Sequence, residues 1–167
     1  MIREKVLNMY MMRCSRAEYC TGTIEKSLNR LVAKGELQRS DAESIIDVLQ
    51  KQGFLDDSRF AAAYVRDKNR IDGWGRVKIA YKLKSMALPD TIIERAIEAE
   101  FDNDVGAKRL AILLENKYRS LKNNESSSQK RAKCIRYALS RGFEYEMACK
   151  LFDSVIMTNF ASNKDEI

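Results

Sequence analysis

The sequence predicts an all-α fold built as three tandem three-helix repeats of helix-turn-helix character, stacked into an elongated, curved array. Three observations predict it. Only seven glycines and one proline punctuate 167 residues, too few for the many turns of an all-β protein of this size. Apolar residues make up 45% and charged residues 32%, enough for helices with one buried and one solvated face. The same apolar stripe also returns along the chain. Ile45-Ile46-x-x-Leu49, Ile92-Ile93-x-x-Ala96-Ile97 and Met147-Ala148-x-x-Leu151-Phe152 are separated by offsets of 47 and 55. At the second offset Arg76 pairs with Arg131, Lys78 with Lys133, Ala87 with Gly142 and Leu88 with Phe143. A small three-helix unit cannot bury its apolar face alone, so stacked neighbours share a core.

Nine helical segments follow in order. The first covers roughly residues 2–13. The second begins near Thr21–Thr23 and ends at Gly35. The third starts after Ser40, with Glu43 three residues on as a capping box, and runs to Gly53 as its closing glycine. Asp56-Asp57-Ser58 opens the fourth, where acidic groups favour the positive end of the helix dipole, and Phe60, Ala61, Tyr64 and Val65 form its apolar stripe. Ile71-Asp72-Gly73-Trp74-Gly75 breaks it. The fifth runs from Arg76 to Met86, and Pro89 sits in the first turn of the sixth. Asp102-Asn103-Asp104 opens a long seventh with Leu110, Ala111, Leu113 and Leu114. A loop at 123–128 precedes the eighth, which ends at Gly142, and the ninth covers 144–156. These segments divide the chain into repeats at 1–53, 54–101 and 102–157, followed by a frayed tail at 158–167.

Net charge is +6, and its distribution is uneven. Residues 1–52 carry 9 basic and 7 acidic residues, 53–104 carry 9 and 10, and 105–167 carry 12 and 7. A localised basic excess is the footprint of a phosphate-backbone binder, and also of a solvated helix face. The sequence has four Cys and no His. None of Cys14, Cys20, Cys134 and Cys149 is spaced C-x-x-C, so no metal site and no cofactor are expected. Such thiols behave as small buried hydrophobes in a reducing compartment. No signal-peptide core and no run of about 20 apolar residues occurs, so the cytoplasm is expected and a membrane partner is not. Asp56 and Asp57 suggest paired carboxylates. Without His, a nucleophile constellation or a phosphate loop, however, helix capping is the better reading and an enzyme is not expected.

Gly53-Phe54-Leu55-Asp56-Asp57-Ser58-Arg59-Phe60-Ala61, then the basic helix end Arg66-Asp67-Lys68, Gly73-Trp74-Gly75 and a further helix to Leu83, resemble the central signature of the RecX family. Arg141-Gly142-Phe143-x-Tyr145 resembles that family's third repeat. The resemblance covers residues 6–156. The chain departs from it at Arg76, where the family often has proline, at Ala87, where a glycine closes the helix, and around Glu36–Ser40. The resemblance implies a regulator lying along a RecA recombinase filament, which limits filament growth, ATP turnover and strand exchange. Its partners would be RecA subunits and single-stranded DNA, with duplex DNA as a further candidate, and the array would act as a monomer.

Two basic patches follow as candidate sites. Arg66, Lys68, Arg70, Trp74, Arg76, Lys78, Lys82 and Lys84 surround the Gly-Trp-Gly turn, offset inside that window only by Asp67 and Asp72. Arg76 and Lys78 open a helix whose free N–H groups would also favour an anion. Trp74 reads equally as a contact residue or as a plug between repeats. Lys117, Arg119, Lys122, Lys130, Arg131, Lys133, Arg136 and Arg141 form the second patch. Tyr118 and Tyr137 are set there either to stack on bases or to seal the core edge, and the second role is favoured for each alone. Paired short helices also describe a helix-turn-helix transcriptional regulator, the alternative function, although no helix shows a separate Asn/Gln/Arg base-reading face.

Overall fold

The computed structural model describes residues 2–157. They form nine α-helices and no strand among the described residues: α1 (Ile2–Cys14), α2 (Thr21–Ala33), α3 (Arg39–Lys51), α4 (Asp57–Arg70), α5 (Arg76–Ser85), α6 (Asp90–Glu100), α7 (Asn103–Arg119), α8 (Ser127–Ser140) and α9 (Tyr145–Phe152). The chain then widens into one π-turn at Asp153–Met157, so the ninth α-helix is shorter than its apolar pattern suggests. The expected frayed tail at 158–167 lies outside the described residues.

Local chemistry sets most helix ends. Asp102 caps α7 by accepting from the N–H groups of Asp104 and Val105, and Asp56 accepts from Arg59 N at 2.9 Å at the start of α4. Ser126 and Gln129 close a reciprocal capping box on α8. Two expectations shift. The N-cap of α3 is Gln38, with no side-chain bond, and Ser40 lies inside the first turn. Pro89 stands one residue before α6 and accepts from Ile93 N at 3.1 Å.

Two compact units emerge. The first joins residues up to Tyr64 with Lys82–Ala99, and the second joins Val65–Tyr81 with the chain from Glu100 onward. The core of the first holds Tyr10, Ile24, Leu28, Leu37, Ala42, Ile45, Ile46, Leu49 and Leu55. That of the second holds Leu110, Leu114, Cys134, Ile135, Ala138, Phe143, Ala148, Phe152 and Ile156. Each fully buried Ile or Leu contributes about 2 kcal/mol. The 55-residue offset is visible in burial. Ile24 and Leu28, then Ile79 and Leu83, then Cys134 and Ala138 are all buried at 1% exposure or less. Burial also pushes the Cys134 thiol up, so it behaves as a core hydrophobe.

The turn after α5 holds a backbone anomaly. Ala87 has φ +65°, the only non-glycine with positive φ among the described residues, at the position where Gly142 stands 55 residues later with φ +89°. A Cβ in the left-handed region costs about 1–2 kcal/mol, partly offset by the greater freedom glycine has in the unfolded chain. Ala87→Gly is therefore expected to stabilise the first unit by about 0.5–1 kcal/mol, read as a thermal midpoint raised by a few degrees. A lowered midpoint would contradict this.

Candidate functional site

The first predicted patch is built around the way α4 ends. Within the second unit, Ile71 N donates to Asp67 O at 2.8 Å and Trp74 N donates to Lys68 O at 2.9 Å, curling the chain back on the helix end. Two cations from distant sequence close the turn. Arg109 Nη2 donates to Ile71 O at 3.3 Å, and Arg141 Nη2 donates to Asp72 O. Cations at the negative end of a helix dipole are favourable. Asn69, fully buried, accepts from Asp102 N at 3.2 Å and ties the start of α7 to the same place.

This turn presents Trp74 half-buried, with two ammonium groups over its ring. Lys68 Nζ lies 4.9 Å and Lys78 Nζ 4.3 Å from its ring centroid. Lys68 also pairs with Asp72 at 2.6 Å, and Lys78 Nζ donates to Ser140 O at 3.4 Å. Trp74 thus engages two lysines. One N–H group of the first turn of α5, and that of the residue before it, are taken up. Gly75 N donates to Arg141 O at 2.9 Å and Val77 N to Gly142 O at 3.2 Å. Donors at the start of one helix thus meet carbonyls just past the end of another, which leaves fewer of them for the anion anticipated there.

The other members of the patch spread out. Arg66 is 3.7 Å from Glu100, while Arg70 and Arg76 are exposed. Lys82 and Lys84 belong to the first unit, Lys82 exposed and Lys84 paired with Asp90 at 3.1 Å.

In the second patch, Lys117 of α7 and Lys133, Arg136, Tyr137 and Ser140 of α8 line one shallow hollow of about 270 Å³. Lys117 Nζ lies 5.8 Å from the Tyr137 ring. Lys133 is shared with Glu125 at 2.7 Å, and that hydrogen bond holds the Glu125 carboxyl below the usual carboxylate range. The remaining residues do other work. Lys130 covers Tyr118 at 5.2 Å, and Tyr118 faces Phe152 at 6.2 Å as a core-edge residue. Arg131 pairs with Asp153 at 3.4 Å, which raises its already high pKa. Arg119 and Lys122 are exposed near the end of α7. Arg141 leaves the patch altogether, because its guanidinium closes the α4 turn.

The sequence reading missed Asn69 and Arg109, which carry no local signal, and also Val77 and Tyr81. An apolar pair four residues apart, off the buried Ile79 register, was the available clue. Among the described residues no cluster of three or more His, Cys, Asp or Glu could hold a metal, and no helix is long and apolar enough to cross a membrane.

Comparison with known proteins bears on the whole arrangement. Residues 56–97 match the RecX second three-helix domain, and residues 107–152 match the third. The chain is 30% identical over 125 residues to the regulatory protein RecX of Clostridium perfringens, covering 73% of this chain and 57% of that protein. It is 30% identical over 119 residues to RecX of Pelodictyon phaeoclathratiforme, covering 71% of each. The chain thus spans little more than half of the clostridial relative. The crystal structure of RecX from Lactobacillus salivarius superposes with a TM-score of 0.76 at 19% identity, over 93% of this chain and 97% of that one. These relatives bear the name of a regulatory protein, not of an enzyme. With the second and third three-helix domains matched and a relative at 30% identity covered over 71% of its length, the chain belongs to the RecX family.

Proposed function

We propose that this chain is a cytoplasmic, monomeric regulator that binds RecA recombinase filaments, touches their single-stranded DNA, and restrains filament growth, ATP hydrolysis and strand exchange during DNA repair. The proposal includes three-helix repeats at 1–53, 54–101 and 102–157. The observation that carries it is the convergence of Lys117, Lys133 and Arg136 beside Tyr137 in one hollow. Cations there can neutralise phosphates, and the half-buried Tyr137 ring is an aromatic on which a base can stack. Family membership supports the recombinase as the protein partner, and the near-even charge balance of the first unit favours the second as the polyanion-facing one.

The test is the single-stranded-DNA-dependent ATPase of the cognate RecA, with this protein added below one copy per recombinase subunit. Strong inhibition is expected. Arg70→Glu with Arg76→Glu, both exposed and outside the pair of lysines that Trp74 engages, is expected to weaken that inhibition about tenfold, since each rim charge contributes modestly. An unaffected ATPase, with the protein folded and the filament active, sinks the reading. Tight binding to one duplex sequence over others would favour a transcriptional regulator.

A further inference from the structure

Helix α5 is apolar on two faces. Ile79 is fully buried, yet Val77 and Tyr81 are 54% and 70% exposed. Four residues apart, they stand one above the other on a single face of the helix. Ile71, in the turn ahead of α5, is 66% exposed. Single exposed apolar side chains are ordinary, but a ridge of them is a mark of an interaction surface.

The chemistry around the ridge narrows its occupant. Arg76 flanks it, and the one carboxylate between Ile71 and Tyr81, Asp72, is paired with Lys68, so the surface favours an acidic neighbour. Nucleic acid is the weaker fit. Of the three ridge residues only Tyr81 carries a ring that could stack on a base, and the neighbouring ring of Trp74 is already engaged by Lys68 and Lys78. An i, i+4 ridge fits a protein groove, as amphipathic helices generally do. We infer that Val77 and Tyr81 insert into an apolar, acid-rimmed groove on a recombinase subunit, and that this contact, rather than the lysines, anchors the protein half of the complex. The inference rests on the recombinase reading above and assigns protein and nucleic acid to different faces: α5 for the subunit, the α7–α8 hollow for the strand.

The test compares the unaltered protein with Val77→Ser/Tyr81→Ser, and with Tyr81→Glu as a second variant in case the double change disturbs folding. Circular dichroism and the emission of Trp74, the only tryptophan, report the fold. Binding is measured to RecA filaments held by a non-hydrolysable ATP analogue, and separately to a labelled oligothymidylate without recombinase. Filament affinity is expected to fall about thirtyfold, the loss typical of an aromatic hot spot, while oligonucleotide affinity stays within about twofold. Unchanged filament binding overturns the inference. So does an equal loss for the oligonucleotide, which would give the ridge to nucleic acid. If the unaltered protein does not bind the filament, the recombinase reading falls and the inference with it.

Discussion

Gly142→Ala is expected to cost roughly 4 kcal/mol, enough to unfold much of the second unit at physiological temperature. Two independent penalties combine. Gly142 adopts φ +89°, where an alanine is strained by about 1–2 kcal/mol. A Cβ there would also overlap Lys78 Cβ and lie 2.5 Å from Lys78 N, and backbone cannot step aside as the end of a flexible side chain can. Gly75→Ala tests the same joint from the opposite side, since its Cβ would overlap Gly142 O and lie 2.5 Å from Phe143 N. The joint is where N–H groups at the start of α5 meet carbonyls just past the end of α8, so pushing it apart also strands Gly75 N and Val77 N without partners. Trp74 lies beside this joint, and its emission reports the melt directly. A midpoint lowered by about 10–20 °C is expected; a midpoint within about 3 °C of the unaltered protein would mean the crossing is not close-packed in solution.

That joint marks the limit of what the sequence displays. Helix positions were legible because glycines, acidic caps and apolar stripes act locally. Gly35, Gly53 and Gly142 all take positive φ where a helix was expected to close. The 55-residue correspondence was legible for the same reason, and Ile79 and Cys134 are buried at matching positions. The start of α3 misled because Ser40 and Glu43 imitate a capping box. Burial of Leu37 instead draws the chain inward earlier, so the helix begins two residues sooner. At the site, charge counting found the cations but not their tasks. Arg141 looked like a surface residue, yet its guanidinium meets Asp72 O across 69 residues of sequence. Lys78 looked like a phosphate ligand, yet its ammonium lies over Trp74. Such partners are chosen by tertiary geometry, and no spacing rule encodes them. What the fold adds is the gathering of Lys117, Lys133, Arg136 and Tyr137 from two helices, and the exposure of Val77 and Tyr81.

Lys133→Glu with Arg136→Glu is expected to lower affinity for single-stranded oligonucleotide about a hundredfold in low salt, the largest effect on binding of any surface change here. Both side chains line the hollow beside Tyr137 and are exposed, so reversal removes two attractions and installs two repulsions without disturbing a core. Salt dependence distinguishes direct contact from a diffuse field. Single-stranded DNA gives a log–log slope of about −0.7 per neutralised phosphate, so losing two contacts should flatten the slope by about 1.4. Lys133→Glu also places two carboxylates together by ending the 2.7 Å pair with Glu125. Glu125→Gln is the control: it frees Lys133 from its partner and is expected to hold or raise oligonucleotide affinity. The Glu125 carboxyl is held low in the folded protein, so the competing pair persists above the ordinary carboxylate range and is lost only as pH falls through the lowered value. A charge reversal that leaves both affinity and slope unchanged would remove the α7–α8 hollow from the nucleic-acid surface and leave Arg70 and Arg76 as the cations to pursue.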